Sequence, residues 1–409
     1  MDLEIRAITA AERDDFRRSL ASTFGFDVKE DDEERRERFA RTLELDRSIG
    51  AFDGGRMVGT GAALSLELTI PGAAAATGGT TMISVLPTHR RRGVLREMMR
   101  FHMDEVRERG ETLAALWASE SVIYGRFGYG KAVLRNRVEI ERRHAAMLPG
   151  IEPAGVVDLV PPETTLEHLR PVYQRMLPTR PGMYARSEQW WRDHSLHDPE
   201  DERRGASRYR YAIYHEDGET LGYAQYRVKS KWDDWNPAST VDVVEMLALT
   251  PGAAAGLWRY LSGIDLVEKI EAWNRPEDEP LAWLLADPRR LRSMPGDSLW
   301  LRLVDVPAAL AARRYRIPGQ LVLEVRDAFC PWNEGRYRLV GDRGDAACER
   351  TDADPDLVLD ARDLGAVYLG GARMAALSRA GLIHGGRAAV ETADLMFSWD
   401  PPPWCPEVF

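Results

Sequence analysis

The sequence predicts a mixed fold, α/β and α+β, built in three successive parts, and three observations carry that reading. The chain has 409 residues, more than one ordinary domain of about 100–200 residues accommodates. Strand-length apolar runs alternate with segments of helical spacing along most of it. A strand, a turn and a helix recur as one unit, closing once on Pro87 and again on Pro251, which reads as a weak internal repeat. Hydrophobic residues make up 44% and charged residues 29%. That composition supports more than one packed core and excludes a wholly disordered chain. Shifts in character at Met147-Leu148-Pro149-Gly150 and near residue 298 give domains at 1–147, 148–297 and 298–409.

The elements follow in order. After Thr9, Ala10, Phe16 and Leu20 stand at helical spacing. Residues 27–47 are densely charged and suit a solvated helix start or a loop. Segments 48–52 and 57–65 read as strands joined through Asp53-Gly54-Gly55, a hairpin signal. Residues 66–70 prolong the extended run until Pro71-Gly72 breaks it, and 80–85 is a further strand. Leu95, Met98, Met99, His102, Met103 and Val106 then mark an amphipathic helix that Gly110 ends. Residues 113–118 read as a buried strand.

From about 155 the order of helix, strand, hairpin and strand returns. Segments 212–215 and 220–228 flank Glu216-Asp217-Gly218, and strand 241–249 leads through Pro251 to a helix expected from Leu257 to about Ile264, with Gly256 as its opener. In the last part, 320–325 and 336–340 alternate as a hairpin and 357–361 is a strand. Residues 364–380 read as one helix and 388–397 as another, before a tail stiffened by Pro401, Pro402, Pro403 and Pro406.

Charge and composition narrow the function. The formal net charge is −10, unsuited to general nucleic-acid binding and suited to a cationic substrate. The three cysteines, Cys330, Cys348 and Cys405, form no Cys-x-x-Cys pair, so neither a disulfide framework nor a four-cysteine zinc site is expected. His194 and His197 are the only close histidine pair and read as surface residues rather than as metal ligands. No secretory leader or apolar stretch of about 18 residues stands out, which gives the expectation of a soluble cytoplasmic protein that binds no metal.

The sharpest chemical feature is Pro87-Thr88-His89-Arg90-Arg91-Arg92-Gly93-Val94-Leu95. It lies between a strand and a helix. The first helical amides lack intrahelical partners and the helix dipole adds positive charge there, so the place suits a phosphate. Gly93 lets backbone approach closely, and the arginines add charge. In the second copy Ala253-Ala254-Ala255 stands where Arg90-Arg91-Arg92 stands in the first.

The run from Val85 to Val94 resembles the acetyl-coenzyme A motif of the GCN5-related N-acetyltransferases, Arg/Gln-x-x-Gly-x-Gly/Ala, with Leu95 departing at the last place. Together with Ile123-Tyr124-Gly125-Arg126-Phe127-Gly128-Tyr129-Gly130 it resembles one branch more closely, the Eis (enhanced intracellular survival) family of aminoglycoside acetyltransferases. That resemblance implies two acetyltransferase domains in tandem, the second degenerate, and a C-terminal sterol-carrier-protein-like domain. It also implies acetyl-CoA as acetyl donor, a cationic amine as acceptor and a homohexamer.

The resemblance implies roles residue by residue. Ile83, Ser84 and Val85 would grip the pantetheine arm. The backbone from Arg90 through Arg91, Arg92, Gly93 and Val94 to Leu95 would cradle the pyrophosphate, and Ser119 would complete the cofactor site. Tyr124 would protonate the leaving thiolate, Tyr129 being structural, and the terminal carboxylate of Phe409 would act as base. Phe24, Asp27 and Glu407 would face the substrate, although the family's terminal acidic residue is penultimate and here Val408 intervenes. A polyamine, peptide or lysine acceptor is an alternative, and a coenzyme A- or lipid-binding module without turnover is an alternative of another class.

Overall fold

A computed structural model describes residues 2–28 and 32–409; part of the charged run, 29–31, lies outside the described residues. Chain order begins with β1 (Leu3–Ala7), α1 (Arg13–Phe24), α2 (Glu33–Thr42), β2 (Ser48–Asp53), β3 (Arg56–Ile70), β4 (Ala73–Val85) and α3 (Val94–Glu108). It continues with β5 (Leu113–Trp117), α4 (Ser121–Tyr124), β6 (Gly130–Lys131), β7 (Leu134–Glu141), β8 (Val156–Val160), α5 (Thr165–Met176) and α6 (Glu188–Trp190). Next come β9 (Arg210–Glu216), β10 (Glu219–Lys229), β11 (Trp232–Asp233), β12 (Asn236–Pro237), β13 (Ser239–Ala248), α7 (Pro251–Gly263), β14 (Val267–Arg275), α8 (Leu281–Leu284) and β15 (Arg292–Asp297). The chain closes with β16 (Leu299–Leu303), α9 (Val306–Ala312), β17 (Gly319–Arg326), β18 (Gly335–Gly341), β19 (Ala346–Arg350), β20 (Leu357–Asp360), α10 (Ala361–Val367), α11 (Met374–Arg379), β21 (His384–Gly385) and α12 (Arg387–Phe397).

These elements form two compact units. Residues 1–133, 298–400 and 408–409 make the first, and residues 134–297 and 401–407 the second. β7, inside the expected 1–147 domain, pairs with β14 and β15 in the second unit's sheet.

The first unit holds a seven-stranded sheet in the order β1-β2-β3-β4-β5-β16-β6. β2 and β5 are buried over nearly their whole length, as central strands covered on both faces must be. α3 lays Met98, Met99, Met103 and Val106 on the sheet, the face its spacing marks out. Its core continues through Ala114, Leu116, Tyr124, Phe127 and Tyr129 to Phe329 and Cys330. A second sheet, β19-β18-β17-β20-β21, belongs to the same unit. α10 meets β6 closely: a Cβ on Gly130 would lie 1.8 Å from the Arg362 carbonyl oxygen, so only glycine fits. The 364–380 segment is two helices rather than one. Gly370 turns left-handed at φ of 88° and its amide donates to the Val367 carbonyl at 3.0 Å, which ends the first helix.

The second unit's sheet runs β15-β7-β14-β13-β10-β9-β8, with α7 packing Ala253, Leu257, Trp258 and Leu261 into its core. α7 starts at Pro251, not at Leu257. Thr250 is its N-cap, accepting from the Ala253 amide at 3.1 Å, and proline suits the first helical turn; Gly256 therefore sits inside the helix.

Candidate functional site

The site begins with a defect in β4. Ala62 faces Thr81 and Thr60 faces Ser84, so β4 carries one residue more than β3 between those pairs. Met82 absorbs it with φ of 54°. The Thr60 hydroxyl donates to the Met82 carbonyl at 2.9 Å and lies 2.7 Å from the Ser84 hydroxyl, which pins the bulge. On its other side β4 pairs with β5 in parallel over Thr77–Gly79 and Leu113–Ala115 only. Beyond Gly79 the two strands are no longer paired. A bulge bends its strand and adds twist, so Ile83, Ser84 and Val85 keep backbone groups that β5 does not use.

α3 starts where that opening ends. Gly93 is its N-cap with φ of 89° and no side-chain cap. Arg91, at φ of 60°, also turns left-handed, a conformation side-chain-bearing residues seldom adopt. The first turn thus begins without a side-chain cap, as an electropositive end.

A cavity of about 780 Å³ joins these parts. Ile83, Ser84 and Val85 line it from β4, Arg90, Arg91, Gly93, Val94 and Leu95 from the turn and α3, and Ser119 and Tyr124 from the segment after β5. Phe24 lines it from the end of α1 and Phe329 from the C-terminal part. Arg92 is exposed and outside this lining, and Asp27 lies exposed on the segment just after α1.

Tyr124 is 6% exposed. Burial pushes its phenol above the ordinary tyrosine value, against a hydrogen bond with Ser119 that pulls the other way. The group is therefore a protonated donor at neutral pH. Tyr129 stands edge-on to it, ring centres 6.2 Å apart. Its hydroxyl lies 2.8 Å from Thr80 Oγ1, which lies 2.6 Å from His102 Nε2, so Tyr129 is tied into the interior. The Thr81 hydroxyl donates to a carboxylate oxygen of Phe409 at 3.3 Å. The chain end thus rests on β4 two residues before Ile83.

Glu407 belongs to the second unit, where its carboxylate meets Arg186 Nε at 3.0 Å, Trp190 Nε1 at 2.8 Å and the Ser195 hydroxyl at 3.1 Å. Burial raises its pKa and Arg186 opposes the rise. Phe329, Thr60 and Thr81 carry no local motif. Each reaches the site through long-range pairing that spacing along the chain does not display.

Three family models match the chain: an acetyltransferase (GNAT) domain over residues 4–132, a second over 182–303 and a sterol carrier protein domain over 306–406. An N-acetyltransferase of Streptomyces avermitilis is 47% identical over 380 residues, 92% of each chain. The N-acetyltransferase Eis of Mycobacterium tuberculosis is 38% identical over 341 residues, covering 81% of this chain and 80% of the relative. Among solved structures, Eis1 from Mycobacterium abscessus superposes with a TM-score of 0.84 at 33% identity, over 99% of this chain and 100% of that one. A GCN5-related N-acetyltransferase from Anabaena variabilis shares the fold with a TM-score of 0.86 at 18% identity, over the full length of both. Tandem GNAT folds, a sterol-carrier-like third domain and full-length likeness to these relatives place the chain in the Eis-like family of GCN5-related N-acetyltransferases, which use acetyl-CoA.

Proposed function

We propose that the first acetyltransferase domain moves acetyl from acetyl-CoA to an amine of a polycationic small molecule, with aminoglycosides as the acceptor class. The observation that carries this reading is one cavity in which the opening between β4 and β5, the uncapped start of α3 and the protonated Tyr124 meet. In this reading the backbone of Ile83, Ser84 and Val85 holds the pantetheine arm. The amides following Gly93, with Arg90 and Arg91, hold the pyrophosphate. A neutral amine attacks the thioester carbon, the C–N bond forms and the C–S bond breaks. The sulfur takes the Tyr124 proton, while the proton shed by nitrogen passes to the Phe409 carboxylate, directly or through water. An α-carboxyl with a pKa of about 3.5 is a weak base; it acts once attack has made the nitrogen acidic.

The acceptor class rests on the relatives named Eis and on the net charge of −10; Phe24, which lines the cavity, and Asp27, exposed just after α1, are read as the residues that meet the acceptor. The central domain is a degenerate copy, and the third supplies the chain end. By the same family likeness the assembly is a hexamer, checked by light scattering; a cytoplasmic location is a separate expectation, checked by cell fractionation. The deciding experiment is an acceptor screen with acetyl-CoA and a thiol-release readout. An aminoglycoside should give the highest kcat/KM. A polyamine or a lysine peptide in that place overturns the acceptor class, and no thiol release from any amine overturns the reading.

A further inference from the structure

The second acetyltransferase fold repeats the opening of the first and fills it. β13 carries a bulge of its own: Tyr226 faces Val243 and Gln225 faces Glu245, leaving Val244 as the extra residue. β13 and β14 pair in parallel as far as Val243 and Ala272 and then part, as β4 and β5 do. The residues past the bulge, Glu245 and Met246, hold the places that Ile83 and Ser84 hold in the first fold. Here they are occupied. Arg275, from the end of β14, donates to the Met246 carbonyl at 2.7 Å, and the Glu245 carboxylate takes Arg186 Nη2 at 2.5 Å. Beside Arg275, Asn274 Nδ2 donates to the carbonyls of Cys405 and Pro406 at 3.0 and 2.9 Å, and its Oδ1 accepts from the Trp404 indole at 3.2 Å. The Trp404 amide donates to the Pro181 carbonyl at 2.8 Å. Trp404 and Cys405 are buried, and Glu407 closes the segment on Arg186.

We propose that this opening, the counterpart of the pantetheine slot, is a peptide site whose ligand is the chain's own C-terminal segment 404–407. Asn274 and Arg186 are its positioning residues. Each partner does a separate job. One carboxamide satisfies two successive carbonyls that β14 cannot reach as a strand. Trp404 supplies the apolar anchor among Leu169, Val172, Tyr173 and Trp191. The buried Glu407 carboxylate sets the register, because a slip by one residue takes it off Arg186 Nε, the Trp190 indole and the Ser195 hydroxyl together and leaves buried donors without their acceptor. The segment ends two residues before Phe409, and two residues span at most about 7 Å. Its docking therefore restricts where the terminal carboxylate can go. The effect on catalysis rests on the reading of Phe409 as base; the docking does not.

The test uses the full chain with Asn274→Leu and with Glu407→Gln. N-ethylmaleimide labelling of Cys405 is followed by mass spectrometry, with buried Cys330 of the first unit as the folding control. Losing a buried hydrogen-bond partner favours local opening of the segment, so Cys405 should react roughly tenfold faster in either variant while Cys330 does not. kcat should fall with the KM for acetyl-CoA nearly unchanged. If Asn274→Leu loosens the whole fold, which parallel labelling of Cys330 reveals, the milder Glu407→Gln decides by the same readout. Equal Cys405 labelling in wild type and Glu407→Gln overturns the proposal. Faster labelling with kcat unchanged upholds the docking and removes Phe409 from the reaction.

Discussion

Tyr124 and Tyr129 carry the same phenol, yet their surroundings set them different tasks. Tyr124 lines the cavity beside Ser119, while Tyr129 is bonded inward to Thr80. Tyr124→Phe should lower kcat about 100-fold or more with acetyl-CoA affinity nearly intact, because only the proton is removed; the reverse result with Tyr129→Phe would exchange their roles. His102, at the far end of the Thr80 link, has its pKa pulled down to about 3 by burial and by the charge of Arg47. The folded chain therefore refuses a proton that the unfolded chain accepts near pH 6.5. Stability from this residue is complete above pH 6.5 and declines as the pH drops toward 3. His102→Gln should narrow the gap between melting temperatures at pH 7 and pH 5, and an unchanged gap would remove His102 as its source. At this scale the residues of the proposed cradle and the proposed acid are legible in the sequence, because Arg90 to Leu95 and Tyr124 sit in contiguous motifs. The Thr81–Phe409 contact joins residues 328 apart, and no periodicity encodes it.

Two helix starts separate the two folds. α3 opens on Gly93 with its first amides uncapped, while α7 opens on Thr250, whose hydroxyl caps Ala253. Arg91→Glu should raise the KM for acetyl-CoA far more than that for the amine, since it places an anion at an end suited to phosphate. Equal shifts in both constants would detach Arg91 from the donor site. The repeat, the α3 face and the hairpins were legible because each is a local periodic pattern. The start of α7 was not: Gly256 resembles Gly93 in spacing, but a proline after a capping threonine is the stronger start signal. The extra residues in β4 and β13 were equally hidden, since a bulge is a relation between two strands.

Across the whole molecule the chain's two ends differ in consequence. A C-terminal tag replaces the Phe409 carboxylate with a neutral amide, which cannot take up a proton, and deleting Phe409 shortens the reach by up to about 3.5 Å. Both should abolish most turnover while an N-terminal tag does not, with melting temperature confirming that each protein is folded. Equal activity from the two tagged forms would show that the chain end is not the base, leaving water or an acid such as Asp27 to take the proton.

β16 carries a further consequence. It lies between β5 and β6 in the first unit's sheet, yet the 164 residues from 134 to 297 belong to the second unit and are made before it. At about 5–20 residues per second, a nascent chain waits roughly ten to thirty seconds between finishing β6 and releasing the strand that β6 pairs with. During that interval the inner edge of β5 is an open strand edge on the ribosome, the kind of surface that recruits wrong partners. A fragment cut at residue 147 keeps that edge for its whole life. The first unit's sheet is thus a unit of fold but not a unit of translation.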